Sequence, residues 1–163
     1  MSLTSKFAPK SVMAVFMIAG LGLTLTGCST GSDAPTRMIK KVTDGAEADS
    51  GAIKARDVLL VAQPDGAAAL VGTVVNTGDS ADQLLSISVD GLPATLSASP
   101  IDLVLDKPAI FAGDSANQSA VIPGLNKAPS SRATVVFTFQ SAGAITLDAI
   151  VREKSDVYAN VGN

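Results

Sequence analysis

Between Ala52 and Val151 apolar and β-branched side chains recur at every second position in short runs, and turn-forming residues break the runs apart. That period of two, and not 3.6, is what a half-buried strand demands, so the stretch can build sheets and has little means of building helices. The runs predict strands at Ala52–Gln63, Ala67–Asn76, Gln83–Val89, Ala94–Ser97, Ile101–Leu105, Asn117–Ile122, Arg132–Gln140 and Ala144–Val151. Pro64-Asp65-Gly66 has the make-up of a tight hairpin, Asn76-Thr77-Gly78-Asp79 that of a loop tolerant of left-handed backbone, and Ser141-Ala142-Gly143 that of a short link. Val135, Phe137 and Phe139 share one face of their run, as do Ile145, Leu147, Ala149 and Val151 of the next, and the two faces should meet in a core. Seven or eight such strands in about 100 residues imply an all-β fold, an antiparallel sandwich of immunoglobulin or cupredoxin-like shape. Periodicity does not fix the strand order, and no internal repeat is evident.

The N-terminus has a different texture. Lys6 and Lys10 open it, and Ser11 to Thr26 follow as a sixteen-residue run without a charge. That is the layout of a signal peptide over residues 1–27. A membrane-spanning helix needs about 20 apolar residues, and this run carries Gly20 and Gly22 and stops at Gly27. Leu25, Thr26, Gly27 and Cys28 resemble a lipobox, in which Leu25, Thr26 and Gly27 are read by signal peptidase II and Cys28 receives the lipid; the other reading is a secretory leader followed by a chance cysteine. Two acyl chains at about 0.8 kcal/mol per buried methylene give stable anchoring. The expected location is the extracytoplasmic face of the cell membrane, held through the lipid on Cys28; Ser29 leaves inner and outer membrane both open.

Residues 28–51 are rich in Ser, Gly, Asp, Thr and Ala without apolar periodicity, the composition of a flexible linker. From Ser29 to Gly51 such a chain spans roughly 25 to 30 Å. Arg37, Lys40 and Lys41 are either solvated linker charges or contacts to anionic lipid. The expected organisation is therefore a leader 1–27, a lipidated linker 28–51, a sandwich 52–151 and a charged tail 152–163 that frays, with Tyr158 folding back as a cover or hanging free.

Composition removes most chemistries. Histidine is absent and Cys28 is the sole cysteine, which withdraws the usual metal ligands, the usual general base and any disulfide. Beyond Cys28 ten basic residues face fifteen acidic ones, a balance that disfavours nucleic acid. Ser97, Ser99, Ser130 and Ser131 have no base at a catalytic spacing, since Lys107 and Lys127 do not complete S-x-x-K. Asp79, Asp82 and Asp90 match no calcium loop, and Asn76 and Asp82 are expected to bind their own loop's backbone. Asn117-Gln118-Ser119 fits a glycosylation sequon, read as chance in a bacterial lipoprotein. No catalytic residue, metal site or cofactor is expected. Loops Gly91–Pro100 and Gly124–Arg132, rich in Pro, Ser and Ala, are the expected contact regions for a partner.

Three stretches carry a family likeness: Ile53-Lys54-Ala55-Arg56-Asp57-Val58, then Val75 to Leu84 with its Asn76-Thr77-Gly78-Asp79 turn, then Val135 to Gly143 with the strand after it. Together they resemble the periplasmic copper chaperones called PCuAC and lipid-anchored actinobacterial envelope proteins that share that domain, over most of Ile53 to Val151. The resemblance implies a cupredoxin-like sandwich. It also implies, for members that carry copper, paired histidines and methionines in the middle of the domain. Here Met1, Met13 and Met17 fall in the leader, Met38 in the linker, and no copper ligand transfers. Two functions stay open: a noncatalytic module binding or scaffolding another envelope component, or a metal or small-ligand carrier.

Overall fold

The computed structural model describes residues 44–162. The leader, Leu25, Thr26, Gly27, Cys28 and the linker as far as Thr43 lie outside the described residues. Within them the fold is all-β: β1 (Ala46–Ser50), β2 (Ile53–Ala62), β3 (Ala68–Asn76), β4 (Asp82–Val89), β5 (Leu92–Pro93), β6 (Thr95–Leu96), β7 (Ile101–Leu103), β8 (Ala109–Ile110), β9 (Ala120–Ile122), β10 (Arg132–Phe139) and β11 (Ala144–Arg152), followed by a 3-10 turn at Asp156–Tyr158. Hydrogen-bonded neighbours run β5-β4-β10-β11-β2-β3-β9-β6, with β1 on β2, β7 on β4 and β8 on β3. The end strands of that path, β5 and β6, are separated in sequence by Ala94 alone, so the chain itself closes the sheet into a nearly complete barrel or sandwich.

The strict alternation does what it predicts. Phe137 pairs with Ile145 and Val135 with Leu147 across β10 and β11, and all four are buried. The Phe137 and Phe139 rings stack at 6.4 Å between centroids, 9° apart in plane. Each large side chain so buried contributes about 1.5 to 3 kcal/mol from surface removed from water.

The turns follow their residue types. Pro64-Asp65-Gly66 is closed by Gln63 N–H donating to Ala67 O at 2.9 Å, with Gly66 at φ +83. Asp90 and Gly91, at φ +48 and +84, form the two-residue turn from β4 into β5, where both central residues need positive φ.

Four expectations are corrected. The linker expected to run to Gly51 ends sooner, because Ala46–Ser50 is a strand whose Ala46 and Ala48 pack against the core. Its side chains are too small to advertise a period, and its pairing with β2, Ser50 opposite Ile53, supplies the stability that composition does not. The sandwich is not wholly antiparallel, since β11 meets β2 in parallel at Val151–Leu60 and Arg152–Val61, where β11 leaves one sheet for the other. The run Ala52–Gln63 is interrupted by a bulge at Asp57, φ +52, which switches the inward face from Ile53 and Ala55 to Val58 and Leu60. The tail does not fray from residue 152: Arg152 ends β11, and Gln63 Nε2 donates to Val161 O at 3.2 Å.

Candidate functional site

Among the described residues the buried polar side chains are Asn76 and Asp82, 1% and 8% exposed, and they flank the β3–β4 loop, the first ending β3 and the second opening β4. A buried amide or carboxylate left without partners is unfavourable, so the partners say what each does. Asn76 Nδ2 donates to Ser80 O at 2.7 Å and to Leu103 O at 3.0 Å, and its Oδ1 accepts from Gly78 N at 2.9 Å. The loop is thereby folded around the residue that precedes it and pinned to β7. Asp82 Oδ1 accepts from Gln83 N at 2.7 Å and Ser141 N at 2.9 Å, and Oδ2 accepts from Ala142 N at 2.8 Å. One carboxylate thus ties the β3–β4 loop to the β10–β11 turn. Burial pushes its pKa up, but the three N–H groups together with the Ser141 hydroxyl outweigh burial and hold the carboxyl below its ordinary value.

Beside this knot lies a cleft of about 320 Å³ whose walls include Ser50, Ile53, Asn76, Asp82 and Ala142. Ser50 Oγ donates to Ala142 O at 2.6 Å, so the end of β1 closes one wall. The polar atoms of Asn76 and Asp82 on its wall bond to backbone groups.

The other sequence candidates are dispersed. Asp82 and Asp90 bracket β4, an eight-residue strand that at about 3.3 Å per residue sets them roughly 25 Å apart. Asp79 is exposed in the loop, and among the described residues no three His, Cys, Asp or Glu side chains gather as metal ligands. Asp90 Oδ2 takes Lys127 Nζ at 2.8 Å and its Oδ1 takes Thr134 N at 2.8 Å; the ammonium, then the N–H, lower its pKa. Ser97 Oγ donates to Gln118 Oε1 at 2.8 Å, Ser99 Oγ to Leu85 O at 3.2 Å and Ser131 Oγ to Ala128 O at 2.5 Å, each a surface or turn contact. Asn117 Nδ2 donates to Pro108 O and its Oδ1 accepts from Ile110 N, both at 2.9 Å, which ties the side chain to nearby backbone.

The loop Gly91–Pro100 is not free. Its ends pair with β4, Leu92 with Val89 and, just past it, Ile101 with Leu84, while Thr95 and Leu96 cross to β9. Leu92 in it and Leu85 of β4 are exposed, at 38% and 40%. Gly124–Arg132 is fastened by Asn126 N donating to Gly66 O at 2.9 Å and by the Lys127–Asp90 pair. What sequence reasoning missed is the set of donors on Asp82, because backbone N–H groups of Ser141 and Ala142 leave no mark in residue type.

No family model matches the chain, and no curated protein matches it. Solved structures do. A copper-bound PCuAC domain from PmoF2 superposes with a TM-score of 0.57 at 25% identity, covering 66% of this chain and 98% of that one. An apo PCuAC domain from PmoF1 gives 0.56 at 21% identity, covering 66% and 99%. The apo PmoF2 domain gives 0.55 at 21%, covering 68% and 98%. The domain is PCuAC-like, with the cupredoxin-like fold that its strand order describes.

Proposed function

We propose that this PCuAC-like domain is the noncatalytic binding module of an extracytoplasmic lipoprotein, anchored through Cys28, that holds or scaffolds another component of the cell envelope and does not load copper. One observation carries the reading. The sandwich shares its fold with a copper-bound domain, yet from Ile39 onward the chain has no methionine, histidine or cysteine to offer a soft cation. Its two buried polar side chains among the described residues are committed to backbone, so what the domain presents outward is surface. Fold alone does not pass on a function that resides in side chains.

The competing reading, a metal or small-ligand carrier, rests on the likeness to the copper-bound domain and requires oxygen ligands where a soft ion prefers sulfur and imidazole.

The binding reading is tested in cells. A photo-crosslinking residue at exposed Leu85, Leu92 or Val157 should capture the same envelope protein repeatedly, and Cys28→Ser should abolish fatty-acid labelling and release the chain from membranes. A chain that yields no reproducible adduct from any of these positions, while lipidated and abundant, contradicts it.

A further inference from the structure

Leu59, Val61 and Ala69 are 1%, 0% and 3% exposed, yet they stand apart from the central core cluster. They lie on the other face of the β2–β3 pair, where Leu59 is opposite Val71 and Val61 opposite Ala69. The C-terminal segment reaches that face at Ala69. A Cβ placed on Gly162 would stand 3.1 Å from Ala69 Cβ and 2.9 Å from Gln63 Nε2, so the segment's backbone rests directly on the sheet.

The segment is lightly attached. Its backbone hydrogen bonds close on itself, Tyr158 N to Ser155 O, Ala159 N to Asp156 O and Val161 N to Tyr158 O. Gln63, next to the end of β2, ties to it, donating to Val161 O at 3.2 Å and accepting from Lys154 Nζ at 2.9 Å. The 3-10 turn buries no residue, and Val157 is 84% exposed. Ser155, Tyr158 and Val161 are the half-buried ones, the last two being three residues apart. Clefts of about 380 and 360 Å³ flank the segment, the first reaching Pro129 and Val151, the second Phe111 and Gln118. A segment that lies against buried Ala69 while burying none of its own residues sits on the sheet as a ligand does.

We propose that the outer face of β2 and β3 is a peptide-docking surface occupied in the resting chain by residues 155–162. Its partner would dock with a short, nearly uncharged segment carrying an aromatic and a β-branched side chain three residues apart, followed by glycine. This rests on the binding-module reading for the identity of a natural partner alone. Occupancy by the chain's own segment lowers the apparent affinity for any competitor by the fraction of time the face stands open.

The test is binding in trans. The mature chain truncated after Lys154 should bind a labelled synthetic peptide of residues 155–163 at least about tenfold more tightly than the full chain does. Ala69→Arg in the truncated chain should abolish that binding. A folded truncated chain that binds the peptide no better than the full chain, or binds it equally with Ala69→Arg, overturns the proposal. Should truncation prevent folding, Gln63→Ala in the full chain decides: faster amide exchange confined to 155–162, with peptide binding gained, supports it, and unchanged or sheet-wide exchange overturns it. Loss of peptide binding with crosslinked partners retained sinks the docking face alone; binding with no crosslinked partner in cells upholds the face and sinks the envelope-partner reading.

Discussion

Removing the Asp82 carboxylate tests the account of the loop knot most sharply. In Asp82→Ala the N–H groups of Gln83, Ser141 and Ala142 lose their acceptor together. Three bonds to a charged acceptor at about 1.5 kcal/mol each set a loss of about 4.5 kcal/mol. The adjoining cleft admits water that can replace about one of them, which leaves roughly 3 kcal/mol, a large part of the 5 to 15 kcal/mol typical of a domain. Asp82→Asn keeps an oxygen for Gln83 and Ser141 but sets an amide NH₂ against Ala142 N–H, and should lose about 1.5 kcal/mol. Urea unfolding of the chain from residue 28, followed by circular dichroism with a shared slope, measures both. The pH dependence adds an independent arm. A carboxyl held below its ordinary pKa of about 3.9 contributes fully above about pH 5 and loses that contribution as pH falls through the folded value. The gap between wild type and Asp82→Asn should therefore be widest at neutral pH and close in acid. A loss under about 1 kcal/mol for Asp82→Ala, or a gap that does not narrow in acid, refutes the reasoning.

Three further outcomes follow from the same structure. Asn76→Ala removes two donated bonds and one accepted bond at a fully buried position and should lower stability by about 2 to 3 kcal/mol, read in the same urea experiment. A fragment beginning at Ala52 lacks β1 and should melt roughly 10 °C or more below one beginning at Thr43, measured by differential scanning calorimetry. Lys127→Met should raise the Asp90 pKa toward its ordinary value without reaching it, because Thr134 N–H stays; carboxyl NMR titration reads the shift, and stability should move by less than about 1 kcal/mol for so exposed a pair.

The fold was legible where side chains are large and the alternation strict. Val135, Phe137 and Phe139 against Ile145, Leu147 and Val151 specify a two-strand core face that no helical period can imitate. It was illegible where structure depends on neighbours. Ala46 and Ala48 carry too little apolar area to mark β1 inside a small-residue stretch, and the two-residue strands around Ala94 exist only because they bridge two sheets. Val58, Leu59, Leu60 and Val61 are buried in succession, and such an unbroken apolar run means that both faces of the strand are covered, which a period of two does not anticipate. At the loop knot, Asn76 and Asp82 were recognisable as backbone binders, while Ser141 and Ala142 act through main-chain groups that residue identity does not encode.

Copper titration addresses the central claim directly. The chain from residue 28, carrying Cys28→Ser so that an unlipidated thiol cannot itself bind the ion, is challenged with Cu(I) against a competing chromophoric chelator. The account predicts that the chelator keeps all of the copper at micromolar protein. One equivalent of Cu(I) taken up with submicromolar affinity would contradict it and restore the carrier reading.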